Sequence, residues 1–263
     1  MPSLSSSASP YDSVVTALRA AGCVFAEDEA RLLLDAAPGP DELAAMVDRR
    51  ATGVPLELVV GWAEFRGLRI AVEPGVFVPR RRTEFLVEQA LAQVPDATVV
   101  VDLCCGSGAV GAALADALPG AELVAADIDP AAVRCASRNV APFGGQAHAG
   151  DLYAALPGRL RGRIGILAAN VPYVPSDEVA LLPAEAREHE PLVALDGGGD
   201  GLDVLRRVVA EAPDWLAPGG CLFVETSERQ APTAVETFAR GGLAARVVVS
   251  EEWYANVVIG VRS

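Results

Sequence analysis

Glycines and acids with a characteristic spacing mark the first place in the chain where chemistry is expected. Gly106, Gly108 and Gly111 follow a run of apolar residues that ends near Asp102. Because glycine has no Cβ, Gly106 and Gly108 would let the backbone approach a ligand closely. The next apolar run ends at Asp127, 21 residues after Gly106, where a carboxylate can accept hydrogen bonds from both hydroxyls of a ribose. This combination predicts a loop that binds a nucleoside cofactor.

The spacing of the three glycines also fits the dinucleotide fingerprint, in which a pyrophosphate lies on a helix N-terminus. Asp102 would repel a pyrophosphate at the start of the loop, whereas a carboxylate there suits the amino group of a methionine moiety. We therefore expect S-adenosylmethionine as the cofactor. A nicotinamide or flavin dinucleotide is the alternative.

A second loop, Asn170-Val171-Pro172-Tyr173, follows another apolar run and has the groups needed to hold a planar nitrogen. An amide nitrogen is a poor nucleophile because its lone pair is delocalised into the carbonyl group. The Asn170 side-chain oxygen and the Val171 carbonyl oxygen can accept hydrogen bonds from its two N–H groups and so direct the lone pair at a methyl group. Tyr173 can pack on the amide plane.

Most of the rate at such a loop would come from positioning. No general base is required before the attack, because the proton can leave after the methyl group has moved. Asn and Pro are also common in ordinary turns, which is the alternative interpretation of this loop. The neighbouring cofactor loop favours the catalytic interpretation.

Strands and helices alternate from Pro79 onward, as in a doubly wound α/β fold with a mainly parallel sheet. The predicted strands are 98–103, 122–126, 164–168, 221–225, 245–249 and 256–261, and the predicted helices are 110–118, 131–140 and 202–216. Ligands of such sheets bind beyond the carboxyl ends of the strands, where both loops fall. Glu225, at a strand end, either faces this cleft or is hydrogen bonded in the core.

The chain divides into four predicted regions. Residues 1–10, rich in Ser and Pro, are expected to be a disordered tail, without the basic start and apolar core of a signal peptide. Residues 11–57 show helical periodicity, and residues 58–78 are expected to form a β-hairpin linker. The α/β domain is expected to occupy residues 79–263.

Composition limits the partners. The formal net charge is −14, and all 21 basic residues are Arg, which argues against nucleic acid as a direct partner. No apolar run reaches the roughly 18 residues that a membrane helix needs. Five cysteines without a C-x-x-C pair and two histidines give no zinc spacing, so no metal site is predicted. We expect a soluble, cytoplasmic protein with reduced thiols and no membrane partner.

The chain resembles the protein-(glutamine-N5) methyltransferases that modify peptide-chain release factors. The resemblance covers most of the chain from Leu32 onward, and it depends on residues 77–80 with 83–84, 102–108, 127–130, 138–139, 150–152, 190–191 with 194–195, and 198–203. It implies the class I S-adenosylmethionine-dependent methyltransferase fold, with a seven-stranded sheet and a small N-terminal helical domain that recognises the substrate. It also implies transfer of a methyl group to a glutamine amide in a Gly-Gly-Gln loop.

The resemblance further implies which residues form the site. The catalytic residues would be Asn170, Val171, Pro172 and Tyr173. The cofactor-binding residues would be Phe77, Arg80, Asp102, Cys104, Gly106, Ser107, Gly108, Asp127, Ile128, Asp151, Leu152 and Asn170. Residues 150–152 would lie along the adenine.

The sequence departs from the family pattern at three places. Val171 stands where the family has the first of two prolines. The backbone carbonyl at this position is still present, and Pro172 confines Val171 to an extended conformation, but the loop loses some rigidity. Arg81 and Arg82 replace Pro and Glu, which creates a run of three arginines with Arg80. This run either contacts an acidic partner or the cofactor carboxylate, or is a solvated helix start. The helical region is shorter by about two helices.

Two other functions stay open at this stage. A methyltransferase for exocyclic amines of nucleic acids could use the same Asn-x-Pro-Tyr loop, although the acidic chain disfavours it. A relative that keeps the fold but has lost activity would bind the cofactor or a partner without catalysis. Only Val171 and the short helical region support this last reading.

Overall fold

The computed structural model describes residues 9–263, which form a helical front region, a β-hairpin and a seven-stranded α/β sheet. The predicted disordered tail, residues 1–10, lies outside the described residues except for Ser9 and Pro10. Ser9 is the N-cap of the first helix, and its hydroxyl oxygen accepts a hydrogen bond from the Asp12 N–H at 3.1 Å. Within the described part of the chain, no helix combines the length and apolarity needed to cross a bilayer.

Four helices make up the front region. They are α1 (Pro10–Ala20), α2 (Ala26–Ala36), α3 (Pro40–Ala51) and α4 (Leu56–Val60). Proline at the first helical position of α1 and α3 presets the backbone angle that a helix needs. Apolar side chains such as Leu18 and Leu33 are fully buried in a small core of this region, as the helical periodicity predicts.

The strands of the main sheet are β3 (Val99–Leu103), β4 (Glu122–Asp127), β5 (Gln146–Ala149), β6 (Ile164–Ala169), β7 (Leu216–Thr226), β8 (Ala244–Ser250) and β9 (Ala255–Val261). Their spatial order is β5-β4-β3-β6-β7-β9-β8. Strands β3 to β7 are parallel, and β9 is antiparallel to both of its neighbours. This arrangement confirms the predicted doubly wound, mainly parallel sheet.

Helices cover both faces of this sheet. They are α5 (Glu84–Gln93), α6 (Ala109–Ala117), α7 (Pro130–Val140), α9 (Asp203–Trp215) and α10 (Ala231–Arg240), whereas the short α8 (Ala184–His189) lies beside the cavity. Every residue of β3 is buried, as expected for a strand with helices on both sides. After β5 the chain returns to place β6 beside β3, and this reversal of strand order opens a cleft at the carboxyl ends of the two strands.

The hairpin joins the front region to the sheet. Its strands are β1 (Trp62–Phe65) and β2 (Leu68–Ala71), which pair antiparallel. Residues 58–60, expected in the hairpin, belong to α4, which ends at Gly61 in the left-handed conformation. Phe65 enters the main core, and the Asn139 side chain on α7 makes 2.9 Å hydrogen bonds with both the N–H and the carbonyl of Ala71. The hairpin is therefore fixed against the sheet domain.

Candidate active site

A cavity of about 550 Å³ opens where β3, β4 and β6 end. All the predicted site residues line this cavity except Gly108. Gly108 has φ +77°, and a Cβ there would lie 3.0 Å from the Cβ of Ala136. Its missing side chain thus makes room for α7 behind the loop, and a contact of Gly108 with the ligand stays a prediction.

Asp127 shapes the glycine loop from the neighbouring strand. One of its carboxylate oxygens accepts a hydrogen bond from the Gly106 N–H at 2.9 Å, and the other accepts one from the Asp129 N–H at 2.9 Å. A carboxylate oxygen has two lone pairs, so each oxygen can accept one more hydrogen bond. Burial raises the pKa of Asp127, and the two backbone donors oppose that shift.

Asp102 lies deeper in the cavity and is almost completely buried. It accepts a hydrogen bond from the Gly111 N–H in the first turn of α6 at 2.8 Å. Burial raises the pKa of Asp102 to about 8. A cation bound beside it would favour the charged carboxylate, so this corner of the cavity suits an ammonium group.

Apolar side chains line the same cavity as these acids. Ile128 is about half exposed, and Leu152 follows Asp151 with a positive φ of 48°. Asp151 pairs with Arg207 at 2.6 Å. Two carboxylates with free acceptor capacity beside an apolar slot fit a nucleoside that carries an amino acid, and the residues present are therefore compatible with S-adenosylmethionine.

The second loop presents two oxygens to the same cavity. Asn170 follows the last residue of β6 and is half-buried, and Val171 is buried. Within residues 9–263, neither the Asn170 side chain nor the Val171 carbonyl oxygen has a hydrogen-bond partner. Both groups are thus available to accept hydrogen bonds from a bound molecule.

Residues 190–203 support this loop from behind. The Val174 N–H donates to the Leu195 carbonyl at 3.0 Å. A Cβ on Gly197 would lie 2.6 Å from the Pro172 carbonyl oxygen, and one on Gly201 would lie 2.3 Å from that of Tyr173. Only glycines allow this approach, which explains physically why the segment accompanies the loop.

Gln230 is a further supporting residue that the sequence analysis did not identify. Its side-chain nitrogen donates to the carbonyl oxygens of Tyr173 and Asp200, both at 2.9 Å, and so ties the loop to the glycine segment. Gln230 lies 57 residues after Tyr173 in the chain. No local pattern connects the two, and only the tertiary structure shows the contact.

Arg80 and Arg82 find their partners within the chain. Arg80 pairs with buried Glu190 at 2.6 Å, and its guanidinium lies 4.8 Å from the Phe77 ring centroid. Arg82 pairs with buried Glu225 at 2.9 Å. A buried carboxylate needs such a partner because an unpaired charge is costly in the core. Both arginines also line the cavity, and contact with an acidic partner or with the cofactor carboxylate stays a prediction.

Comparison with known proteins places this geometry in a family. The model of the Methyltransferase small domain matches residues 67–173. A solved methyltransferase structure from Pyrococcus furiosus shares the fold, with a TM-score of 0.56 and 15% identity over 75% of this chain and 90% of that one.

Curated relatives are more similar. Release factor glutamine methyltransferase of Geobacter sulfurreducens is 42% identical over 77% of this chain and 72% of its own length. The protein of that name from Mycolicibacterium smegmatis is 41% identical over 82% and 78%. A 4-amino-L-phenylalanine/4-methylamino-L-phenylalanine methyltransferase of Streptomyces pristinaespiralis is 36% identical over 79% and 73%. With this identity over more than two thirds of both chains, and with the methyltransferase fold, the chain belongs to the release factor glutamine methyltransferase family.

Proposed function

We propose that this chain transfers the methyl group of S-adenosylmethionine to the side-chain amide nitrogen of a glutamine in a protein, with the Gly-Gly-Gln loop of a release factor as the expected acceptor. One observation carries the proposal. The Asn170 side-chain oxygen and the Val171 carbonyl oxygen both line the cavity beside the glycine loop. Two acceptors on one loop match the two N–H groups of a primary amide.

The cofactor would be held by the acids and apolar groups of the first loop. Asp102 would bind the amino group, and Asp127 would accept hydrogen bonds from the ribose hydroxyls while it keeps Gly106 in place. Ile128 and Leu152 would enclose the adenine. When bound, the cofactor supplies a methyl group on a sulfonium centre that a nitrogen lone pair can take.

The second loop would prepare the acceptor. Hydrogen bonds to Asn170 and Val171 fix the amide nitrogen, and Tyr173 packs on the amide plane. The proton is lost after the transfer, so the residues act by orientation and electrostatics. The apolar lining and the buried loop limit the access of water that would compete for the two oxygens.

The Streptomyces pristinaespiralis relative acts, by its name, on a free amino acid, which makes a small aromatic amine the second candidate acceptor. Exposed apolar side chains beside the cavity favour a protein instead. Val193 lines the cavity and is about half exposed, and Leu181 and Leu192, each more than half exposed, adjoin the cavity-lining Leu182 and Val193 in the chain. Large exposed apolar side chains of this kind mark surfaces that bind other macromolecules.

The front helices would then recognise the protein that carries the glutamine. Arg50 of α3 bonds to Glu185 of α8 at 2.9 Å, so the front region lies next to the segment that closes the cavity. This placement supports a role for residues 11–57 in substrate recognition. A release factor as acceptor would put the reaction in the cytoplasm.

A labelled-methyl assay tests the proposal. Purified release factor, its loop Gln→Ala variant and free 4-amino-L-phenylalanine are each offered with labelled S-adenosylmethionine. Label on the wild-type factor alone supports the proposal. Label on the free amino acid alone replaces it with the second candidate, and label on the Gln→Ala variant shows that the modified residue is not the loop glutamine.

A further inference from the structure

The Tyr173 hydroxyl is held by a partly buried network at the wall of the cavity, which Arg82 and Thr83 also line. Arg82 donates one hydrogen bond to this hydroxyl through Nη2 and another to Glu225 through Nε, the latter at 2.9 Å. The hydroxyl in turn donates to Glu225 at 3.1 Å. Thr83 donates to the other Glu225 oxygen at 2.7 Å. Arg82, Thr83 and Glu225 are called the Tyr173 clamp below.

The clamp joins parts of the chain that are far apart in sequence. Arg82 and Thr83 precede α5, whereas Glu225 lies in β7 and is almost fully buried. Burial raises the pKa of Tyr173, so its hydroxyl stays protonated and keeps donating to the carboxylate. With Arg82 as its donor and Glu225 as its acceptor, the phenol hydroxyl is held in one orientation.

The backbone just before Tyr173 has little else to hold it. Tyr173 and Val174 are anchored by Gln230 and Leu195, but within the described residues the carbonyl oxygens of Val171 and Pro172 have no hydrogen-bond partner. Proline would lock φ at position 171, whereas valine leaves that torsion free to vary. The two oxygens proposed to hold the acceptor therefore lie on a part of the loop that packing, and no hydrogen bond of those oxygens, keeps in place.

We infer that Arg82 is a positioning residue that holds Tyr173 and, through it, the Asn170–Pro172 stretch, and that it compensates for the rotational freedom at Val171. This inference rests on the proposed function, because the positioned oxygens are those that would bind the acceptor amide. Positions 82 and 171 are both places where this sequence departs from the family pattern, and both affect the same loop. Arg82 itself need not touch the substrate.

The test compares Arg82→Met in two backgrounds, the natural chain and Val171→Pro. The Val171 N–H has no hydrogen-bond acceptor within residues 9–263, so proline at this position breaks no backbone bond there. In the natural chain, Arg82→Met is expected to lower kcat for methyl transfer by about tenfold or more, the scale of a loosened catalytic group. In the Val171→Pro background the same change is expected to lower kcat by less than about threefold, since proline already restricts the loop.

Amide hydrogen exchange gives a second readout that needs no acceptor. Arg82→Met is expected to speed exchange at Val174, whose N–H donates to the Leu195 carbonyl, by about tenfold in the natural chain and by less than about threefold in the Val171→Pro background. Equal effects in both backgrounds would overturn the inference. If exchange shows the coupling but no chain methylates a glutamine acceptor, the clamp stands and the proposed acceptor fails.

Arg82→Lys is the control for loss of the fold in Arg82→Met. Lysine keeps a positive charge beside Glu225 but has no fork that reaches both partners. It is expected to leave the unfolding midpoint and cofactor Kd close to those of the natural chain while kcat still falls several-fold.

Tyr173→Phe removes the held hydroxyl, so Arg82→Lys added to it is expected to change kcat no further. A further several-fold drop in that double variant would show that Arg82 acts by another route.

Discussion

Single atoms decide the chemistry proposed for the cavity, and the Asn170 side-chain oxygen is the clearest case. It lies on a loop whose other acceptor, the Val171 carbonyl, belongs to the backbone and cannot be removed by substitution. Asn170→Ala is expected to lower kcat by at least about a hundredfold, as loss of one preorganised polar group typically does. Cofactor Kd is expected to stay within about threefold. Rapid-mixing methyl transfer and calorimetry measure the two, and a fully active variant would contradict the assignment.

Asp102 should make cofactor binding depend on pH. Burial raises the pKa of Asp102 to about 8, so near pH 7 the free protein carries a proton there. An ammonium group favours the charged carboxylate, and binding at pH 7 should therefore release close to one proton, with affinity increasing from pH 6 to 8. Calorimetry in buffers of different ionisation enthalpy measures this release. Asp102→Asn should abolish it, and proton-neutral binding by the natural chain would refute the role.

The same shift affects stability in the absence of cofactor. Because the folded state holds the Asp102 proton more tightly than the unfolded chain does, the contribution of Asp102 to the free energy of unfolding is full below about pH 4 and is lost as the pH rises through 8.

At the scale of elements, the glycine segment behind the catalytic loop tolerates little change. Gly201 and Gly219 both have φ +77°, but a Cβ would meet Tyr173 and Gln230 at Gly201 and nothing within 4 Å at Gly219. Gly219→Ala should therefore cost only the backbone strain of about 1–2 kcal/mol. Gly201→Ala should cost more and also displace the loop, lowering kcat about tenfold.

Urea unfolding and methyl-transfer kinetics on the two glycine variants separate strain from steric conflict. Equal losses of stability, with transfer unchanged in both, would mean that residues 190–203 do not support the loop. The comparison is matched because the two positions share the same backbone conformation.

At the scale of the whole molecule, Arg50 connects the front helices to the segment over the cavity. Its Nε lies 2.6 Å from Glu29, which is nearly buried, and its Nη1 lies 2.9 Å from the more exposed Glu185. Arg50→Met would leave Glu29 buried without its charge partner, at a cost of about 3–5 kcal/mol. Glu185→Gln should cost less than about 1 kcal/mol, because that pair is solvent-screened.

Denaturant unfolding of both variants checks this difference. A loss of stability as large for Glu185→Gln as for Arg50→Met would show that the front region depends on the α8 contact instead of on its own buried pair. The front helices have a core separate from those of the sheet, so Arg50 is one of the few polar links between the two parts.

Much of this protein follows from local sequence. The alternation of buried strands with amphipathic helices predicts the parallel sheet, because a strand covered on both faces must be apolar throughout. The two loops fall at strand ends, and parallel strands bring their carboxyl ends to one edge, so Asp102, Asp127 and Asn170 were expected to meet there.

Contacts between distant segments could not be read in this way. The sequence shows three adjacent arginines but not that Arg82 reaches Glu225, 143 residues later, and it shows Gly108 in a binding motif but not that α7 occupies the space beside it. Likewise the apolar run at residues 58–60 is compatible with a strand or a helix, and in the folded protein it forms part of the helix α4. The sequence alone determined the fold class, the family and the chemistry of the two loops, since these depend on residue type and local spacing. The tertiary structure decided which buried charges pair and what holds Tyr173, because those contacts depend on how distant elements pack.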